Sequence, residues 1–556
     1  MARTPTSPPI AKSTIKRRGI AGNARIIGVI TLVSRLLGLG REMIAAAAFG
    51  AGPVWSAFTF AFTIPNLFRK LFGEGAISAA FIPMYARLVG AEDPEARRFA
   101  AGSVNVLVWL LSVITLVGEV ALMAVWWFGG VERGDYRLAI VLTAIMLPYV
   151  VLVCGTAFLG GILNVHERFV APAAASVLLN LCLIAAIALA WWRFDLSLDS
   201  DRAAATIWIA IAVLVSGVLQ ALLLWPSLRA VGFALDPRAG LLTPATRRML
   251  ALSLPVALSA GVLQVSVLLD KGIAFFLAAA PGTEPAGWFP MAAGAAARLN
   301  WAQFLYQFPL GVFAIAIATA IFPTLSRDAA ENNGRNDKFR NGLRKGVEAA
   351  LFIGLPASAG LMLVATDATR VLFERGEFTP FDTKLVAMSV LVYSAAVWAF
   401  SVQQIINRAY YALQDTRTPL VWSGINLGLN LVIEIPLIWL LPRPWGEVGM
   451  AAGTLVSFSI QAVLMLWLLS KRTGGLGLRR SVGPIAVMLL ATGLMTAACL
   501  LARLLPIWPA GTTTTPAAAR LLLTMLLGGG VYFAVVFLFR RSQRREDAKR
   551  DAKAER

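Results

Sequence analysis

The sequence predicts an all-α integral membrane protein with fourteen transmembrane helices, arranged as two pseudo-symmetric lobes around a central cavity. Three observations lead to this prediction: long apolar runs recur along the chain, basic residues concentrate in alternate connections, and two patterns repeat at nearly one offset. Only 14% of the 556 residues are charged and the mean hydropathy is +0.72, whereas soluble proteins carry about 25% charged residues. Helices are the elements that span a membrane at such hydropathy.

The apolar runs place the spans in order, because about 20 helical residues cross the hydrocarbon. The predicted spans are 26–50, 54–72, 102–128, 138–164, 171–192, 204–227, 249–280, 292–325, 347–372, 385–411, 419–440, 448–470, 483–505 and 519–539. Two of them, 249–280 and 292–325, exceed the length that a bilayer needs and are expected to tilt, bend or project. The connections are too short to hold a soluble domain.

Basic residues outside the spans indicate the orientation of the chain. Segments 1–25, 326–346 and 540–556 are rich in Lys and Arg, whereas 281–291 and 506–518 contain none. Because basic loops remain in the cytoplasm, both termini are predicted to be cytoplasmic in a multi-pass protein of the inner membrane. The net charge of +20 is then an orientation signal that contacts membrane lipid, and no nucleic-acid partner is expected.

Two pattern matches indicate an internal repeat. "AFIPMYAR" (80–87) resembles "AIFPTLSR" (320–327), and "LNVHERFVAPAAASVLLNLCLI" (163–184) resembles "LQDTRTPLVWSGINLGLNLVI" (413–433). Parallel repeats are a transporter design with the substrate site between the halves; chance similarity of apolar sequence is the alternative. The predicted parts are a disordered basic N-terminus (1–25), an N-lobe (26–227), a C-lobe (249–470), two further spans (483–539) and a basic tail (540–556).

Charged residues interrupt the first two spans. Arg35, Arg41 and Glu42 lie within the first span and Arg69 lies near the end of the second, followed by Lys70. Ionisable residues inside a membrane usually face a cavity or a partner, and arginine binds phosphate in a bidentate manner. The pattern favours a cationic cavity for an anionic substrate. The alternative is an internal ion-pair network, with Lys70 reaching the cytoplasmic headgroups.

A second polar set lies in the later half. Asp270 is deep in the seventh span beside Lys271, while Asn426, Asn430 and Glu434 recur every four residues on the eleventh. Carboxylate and amide oxygens suit a small cation that could couple transport, so Na⁺ or H⁺ is the expected coupling ion and no other cofactor is expected. The alternative is a local Asp270–Lys271 pair with amides that pack helices together.

Several segments resemble the MurJ/MviN family of lipid II flippases, within the multidrug/oligosaccharidyl-lipid/polysaccharide exporter superfamily. They are "SRLLGLGREMIAAAAFGAG", "AFTFAFTIPNLFRKLFGEGAISAAFIPMYAR", "GGILNVHERFVAPA", "FLYQFPLGVFAIAIATAIFPTLSR", "FERGEFTPFDT" and "YYALQDTRTPL". The resemblance implies a two-lobed flippase that carries the undecaprenyl-pyrophosphate-linked peptidoglycan precursor from the inner to the outer leaflet. Its implied mechanism is alternating access coupled to membrane potential or a cation, with cell-wall synthesis proteins as candidate partners.

The resemblance also implies roles for individual residues. Arg35, Arg41 and Arg69 match cationic positions of the family's cavity, and Glu42 stands where the family usually has Asp. Two more match the family's "PN…EGA" pattern; they are Asn66 and Glu74. Three residues fall near positions that resemble the family's sodium site; they are Asp270, Asn426 and Asn430.

One segment departs from the family pattern. In "WAQFLYQFPLG", Gln303 and Phe304 stand where the family commonly has Asp and a cavity Arg. Arg298, six residues before Phe304, is a candidate substitute for that cation. The departure leaves open the substrate detail and the number of cations that binding requires.

Several other functions remain as alternatives. A polysaccharide-repeat lipid flippase shares the cationic cavity, whereas a drug or cation antiporter of the same superfamily should have an aromatic or acidic one. A non-transporting membrane scaffold is compatible with the missing arginine at Phe304. An enzyme is not expected: His166 is the only histidine, and the sequence contains no metal-ligand spacing or glycine-rich phosphate loop.

Overall fold

The computed structural model describes residues 20–554 except 92, 94, 241–242, 331–333 and 507, and the side chains of most of them. Of the predicted N-terminal segment 1–25, residues 1–19 lie outside the described residues. In the tail 540–556 the backbone is described to residue 554, and the side chains are described only at residue 541.

Helices make up most of the described chain, and we number the α-helices in chain order. They are α1 (Ile20–Phe49), α2 (Pro53–Phe68), α3 (Ile77–Gly90), α4 (Glu95–Phe128), α5 (Gly134–Met146), α6 (Tyr149–Val165), α7 (Val170–Arg193), α8 (Asp199–Ala230), α9 (Pro244–Phe276), α10 (Ala295–Pro309), α11 (Ile315–Ala330), α12 (Asp337–Phe373), α13 (Pro380–Ser394), α14 (Val397–Ala412), α15 (Arg417–Leu440), α16 (Gly446–Arg472), α17 (Val482–Ala502) and α18 (Thr514–Ala554). Two π-helical segments, Arg69–Ala76 and Leu310–Ala314, connect α2 to α3 and α10 to α11.

The predicted spans coincide with these helices, singly or in joined pairs. Among the described residues, eight helices are long and apolar enough to cross a membrane, or ten spans result if the bent pairs α5–α6 and α13–α14 each count as one. The bends are 40° and 45°. The remaining predicted spans correspond to α1, α2, α9 and α10–α11. A multi-pass all-α membrane protein is therefore confirmed, and the number of fourteen spans stays a prediction.

The first predicted repeat has the same backbone feature in both halves. α2 contains Pro65 and continues through the π segment Arg69–Ala76 into α3, which carries "AFIPMYAR". α10 ends at Pro309 and continues through Leu310–Ala314 into α11, which carries "AIFPTLSR". Because proline has no N–H to donate, it favours a shift of helical register close to it. The two halves therefore share a helix–π–helix unit.

The second repeat is also present. The turns before α7 and α15 each contain a non-glycine residue with positive φ, Glu167 at 59° and Gln414 at 57°. Farther along these helices, Asn180 and Asn430 are both buried, with 9% and 2% of their surface exposed. Since polar side chains within a membrane bundle bond to neighbouring helices, each asparagine marks an internal contact. The second predicted repeat is thereby confirmed in both halves.

The helices pack as two sets that α9 joins. α1–α8 pack mainly with one another, α10–α16 do the same, and α17 and α18 pack on α12 and on each other. α9 contacts α2 and α3 on one side and α10 and α15 on the other. The space beside α9 therefore separates the N-lobe, α1–α8, from the C-lobe, α9–α16.

A buried ion-pair cluster holds the C-lobe together. Arg298 on α10 is 1% exposed, and its Nη2 and Nε lie 2.6 and 2.9 Å from Oε1 of Glu447 on α16. Its Nη1 is 3.5 Å from Oδ1 of Asp382 on α13. The side chain of Asp382 also caps α13 by accepting from the backbone N–H of Thr379 at 3.0 Å. Three helices are thus joined by charges that water cannot reach.

Replacing Arg298 with methionine is expected to destabilise the protein by about 3–5 kcal/mol, since it leaves two buried carboxylates without their partner. Denaturation of the purified protein in detergent measures this change. The control is Arg340→Met, which breaks a pair with Asp337 whose carboxylate side chain is 87% exposed. Surface pairs contribute little, so equal losses for the two variants would contradict the structural role of the Arg298 cluster.

Candidate functional site

A cavity of about 190 Å³ lies between the lobes beside α9. The N-lobe contributes side chains of α1, α2, α7, α8 and the first π segment, and the C-lobe contributes side chains of α9 and α10. The charged and amide side chains in its lining are Arg41, Glu42, Asn66, Lys70, Lys271, Asn300, Gln303 and Gln307. Three basic groups and one carboxylate make this described lining electropositive, which attracts anions.

Arg41 is held in the cavity wall from two sides. Its Nη1 donates to Asn180 Oδ1 at 3.2 Å, and its Nη2 lies 2.5 Å from Glu42 Oε1. Asn180 on α7 is oriented in turn, because its Nδ2 donates to the carbonyl oxygens of Ser34 at 3.1 Å and Ser176 at 3.2 Å. The guanidinium is therefore positioned before any ligand arrives, which reduces the entropy lost on binding.

Glu42 links the N-lobe to the C-lobe. Besides pairing with Arg41, its Oε2 accepts from Trp301 Nε1 at 3.0 Å and lies 3.5 Å from Asn300 Nδ2. Both partners belong to α10. Lys271 on α9 donates from Nζ to Asn300 Oδ1 at 2.7 Å. A continuous chain of polar contacts thus crosses the cavity from Arg41 to Lys271.

The end of α2 places its two cations differently from the sequence expectation. Arg69 donates from Nε and Nη2 to Asn66 Oδ1 at 3.1 and 3.0 Å, and its charge acts on Tyr149 of α6. Asn66 belongs to the cavity lining, whereas Arg69 does not. Lys70, for which we considered a headgroup contact, lines the cavity instead. In this conformation Arg69 holds the lining residue Asn66, and Lys70 is itself part of the lining.

Three other predicted residues do not belong to the cavity lining, or their side chains are not described. Arg35 is exposed and donates from Nη2 to the carbonyl oxygen of Gly311 at 3.3 Å, so it bridges α1 to the second π segment. Arg298 is enclosed in its pair with Glu447 and therefore does not replace the missing cavity arginine. The side chain of Glu74 lies outside the described residues.

The predicted cation ligands are buried on two helices that pack together, α9 and α15. Asp270, Asn426, Asn430 and Glu434 are 8%, 6%, 2% and 0% exposed. Asn430 Nδ2 donates to Glu434 Oε2 at 2.9 Å and accepts at Oδ1 from Ser457 Oγ at 3.2 Å. One oxygen each of Asp270, Asn426 and Glu434 has no hydrogen-bond partner in the described structure. Such buried oxygens fit a small hard cation.

Comparison with known proteins identifies the family. The family model described as "Lipid II flippase MurJ" matches residues 45–514. A probable lipid II flippase MurJ of Rhizobium meliloti is 33% identical over 447 residues, which cover 79% of this chain and 78% of the relative. This chain belongs to the MurJ family. A second relative, from Vibrio cholerae serotype O1 and also named a probable lipid II flippase MurJ, is 33% identical over 491 residues and covers 85% of this chain and 87% of its own.

A solved structure shows that the fold is shared over most of the chain. A lipid II flippase MurJ in an inward closed conformation aligns with TM-score 0.74 at 21% identity, covering 93% of this chain and 99% of its own. An inward-facing multidrug resistance MATE transporter of the MOP superfamily aligns with TM-score 0.64 at 16% identity. The alignment covers 82% of this chain and 98% of the transporter. The predicted family is therefore confirmed, and it is a family of transporters; the solved structures share its fold.

Sequence reasoning missed two residues of the MurJ cavity. Lys271 was weighed only as a partner for the adjacent Asp270, and Asn300 was not considered. Both line the cavity and bond to each other. The available signal was a lysine deep inside a predicted span, which is rarely placed there without a polar environment. Nothing in the linear pattern of α10 showed that Asn300 would meet it.

Glycines close the side of this MurJ chain that is predicted to face outward. The N–H of Glu377 donates to the carbonyl oxygen of Ala47 at 2.9 Å, and Glu377 also pairs with Arg202. A Cβ on Gly376 would lie 2.2 Å from the Ala47 oxygen, and a Cβ on Gly294 would lie 1.6 Å from the Ala51 oxygen. These backbones approach so closely that only glycine fits. The end of α1 is therefore sealed against the C-lobe.

Gly376→Ala is expected to open this seal, because its Cβ overlaps the Ala47 carbonyl oxygen. We expect a cysteine introduced at the cavity residue Thr59 to react several-fold faster with an impermeant thiol reagent added outside the cell. The assay uses a chain whose native cysteines are replaced by alanine.

Gly282→Ala is the matched control. Gly282 also has a positive φ, 74° against 58° at Gly376, but nothing lies within 4 Å of a Cβ built there. Faster labelling in both variants would attribute the effect to backbone strain, and unchanged labelling in Gly376→Ala would show that the contact does not close the cavity.

Proposed function

We propose that this member of the MurJ family moves lipid II, the undecaprenyl-pyrophosphate-linked peptidoglycan precursor, from the inner to the outer leaflet of the cytoplasmic membrane for cell-wall synthesis. The observation that carries the proposal is the electropositive cavity between the lobes, with Arg41, Lys70 and Lys271 around Glu42. Ionised groups are very unfavourable in hydrocarbon. A polar cavity removes most of that barrier for the diphosphate, while the lipid tail stays in the bilayer.

Transport requires that the lobes separate alternately at each side. The cavity of about 190 Å³ is smaller than the pockets of about 300–1,000 Å³ that bury drug-sized ligands, and the sugar–peptide headgroup is larger than a drug. In the present conformation the cavity is too small for that headgroup, and breaking the Glu42 contacts to α10 would let the lobes move apart. Both termini stay in the cytoplasm, and no covalent bond is made or broken.

Arg41 is the principal diphosphate ligand in this proposal. Its guanidinium lies in the lining and is positioned by Asn180 and Glu42. Arg69 acts through Asn66, which it holds at 3.0 Å. Arg35 contributes to the contact between lobes through Gly311. Proteins that make or use lipid II are the candidate protein partners.

The cluster around Asp270 is the proposed site of the coupling ion, Na⁺ or H⁺. Its carboxylate and amide oxygens are hard ligands that suit a small cation, and Asp270 acts electrostatically on Glu434. A cation there would neutralise two neighbouring carboxylates. Because α9 carries both Asp270 and the cavity residue Lys271, binding at one site can alter the other through one helix.

A polysaccharide-repeat lipid flippase is the second candidate, because a lipid-linked diphosphate would meet the same cations. A drug antiporter is disfavoured by the net positive lining. A non-transporting scaffold is disfavoured because Asn180 and Glu42 hold Arg41 in the cavity lining, whereas an apolar contact would serve a purely structural role as well or better. Supply of lipid II and of a polysaccharide lipid in separate assays distinguishes the first two.

Arg41→Ala is expected to lower transport roughly ten- to a hundredfold, since a hydrogen bond to a charged group contributes about 1.5–3 kcal/mol. The measurement is growth of cells depleted of their own flippase, together with access of an externally added enzyme to the lipid II headgroup. Arg193→Ala, at the exposed end of α7, is the control with the same change. Full growth with Arg41→Ala would remove this residue from the binding site.

Glu434→Gln is expected to weaken cation binding by at least about tenfold. Removing a group that only orients a metal ligand already lowers affinity by about that much, and Glu434 is proposed to contact the cation itself. Transport is measured with Na⁺ replaced by choline and over a range of pH. The variant should lose its dependence on the coupling ion, while Glu284→Gln in an exposed loop should keep it. If transport by Glu434→Gln depends on Na⁺ and on pH as transport by the unmodified chain does, the coupling site lies elsewhere.

A further inference from the structure

Lys271 is the basic side chain that the C-lobe contributes to the described cavity lining; Arg41 and Lys70 come from the N-lobe. It lies on α9, and Phe304 lies on the adjoining face of α10 in the same cavity wall. Phe304 offers no charge and no hydrogen bond. Without Lys271, an anion in the cavity would therefore contact cations on one side only.

The ammonium group of Lys271 is held by an amide that an anion can displace. Nζ donates to Asn300 Oδ1 at 2.7 Å, and a lysine ammonium has three donors. Asn300 lies four residues before Phe304, so the two share one face of α10. A neutral amide is a weaker acceptor than an ionised oxygen, because charge-assisted hydrogen bonds are roughly twice as strong. An ionised phosphate oxygen is thus the better partner for Nζ.

The surrounding charges leave Lys271 available for an anion. The groups that act on it electrostatically are Glu42 and Asp270, which attract it, and Arg41 and Lys70, which repel it. Glu42 is already engaged at 2.5 Å by Arg41 and at 3.0 Å by Trp301. Three cations that face each other across one small cavity repel one another. A polyanion placed between them relieves this repulsion at all three.

We propose that Lys271 binds the diphosphate of the lipid-linked substrate from the C-lobe side, opposite Arg41 and Lys70, and that it supplies the charge that the α10 wall lacks at Phe304. This inference rests on the proposed function. When a phosphate oxygen accepts from Lys271 Nζ in place of Asn300 Oδ1, the hydrogen bond between Lys271 and Asn300 is broken.

The competing role for Lys271 is local neutralisation of Asp270, the residue before it. The two roles predict different behaviour when the charge is moved. If Lys271 only balances Asp270, an arginine at Phe304 on another helix cannot replace it. If Lys271 binds the substrate, an arginine at Phe304 reaches the same cavity and can take over its role.

The test compares four variants with the unmodified full-length chain. They are Lys271→Gln, Lys271→Arg, the double variant Lys271→Gln/Phe304→Arg and the control Lys384→Gln, at an exposed lysine that lies over Trp445. Two quantities are measured: lipid II binding to the purified protein by native mass spectrometry, and headgroup access at the outer leaflet of cells that depend on the variant. Membrane levels and thermal unfolding of each variant are recorded alongside.

We expect Lys271→Gln to lose roughly tenfold or more in both quantities, as removal of one charged ligand does. Lys271→Arg and the double variant should recover most of the loss, and Lys384→Gln should equal the unmodified chain. Full activity of Lys271→Gln overturns the inference, and so does a double variant that stays as impaired as Lys271→Gln, because the lost charge is then needed only beside Asp270.

Two further outcomes are decisive. If the unmodified chain neither binds nor moves lipid II, the proposed function fails and the inference fails with it; if the unmodified chain does both, any failure concerns Lys271 alone. If Lys271→Gln does not accumulate in membranes, the single variant Phe304→Arg decides. A gain in lipid II affinity supports diphosphate binding at this wall, and unchanged affinity overturns it.

Discussion

The carboxylate of Glu42 joins the two sides of the cavity, because it contacts residues of both lobes. It pairs with Arg41 in its own helix and accepts from Trp301 in the other lobe. An ionised group removed from water is stable only when partners surround it, so this carboxylate holds both walls at fixed positions. The described lining carries the basic groups of Arg41, Lys70 and Lys271 and the one carboxylate of Glu42, so its charge is net positive. The remaining positive charge makes the cavity suited to an anion.

The repeat places equivalent asparagines in opposite roles. Asn180 accepts from Arg41 and so supports a cation at the cavity. Asn430 donates to Glu434 and so supports a carboxylate in the C-lobe cluster. An amide can do both because it carries a donor and an acceptor on one side chain. The same helical unit thus occurs beside charges of opposite sign in the two halves.

α9 connects these sites. Consecutive residues of a helix point about 100° apart, which lets Asp270 join the α15 cluster while Lys271 reaches the cavity. α9 also packs against both lobes. Any rotation or bend of this one helix therefore changes both sites at once.

The sequence by itself determined the membrane class, the predicted orientation, the repeat and most of the polar residues. Those features depend on hydropathy, charge and spacing, which are local properties of the chain. Arg41 and Asp270 were found because a charge inside an apolar span is conspicuous wherever it lies.

Only the tertiary structure decided which charges face the cavity. Arg298 and Lys271 were both visible in the sequence, yet one is enclosed by Glu447 and the other lines the cavity beside Asn300. Arg69 and Lys70 are adjacent, yet Arg69 donates to Asn66 whereas Lys70 lines the cavity. The partners of these groups come from helices far apart in the chain. A charge in a membrane protein takes its role from the opposite charge or amide that packing brings to it, and that distance is not encoded in local spacing.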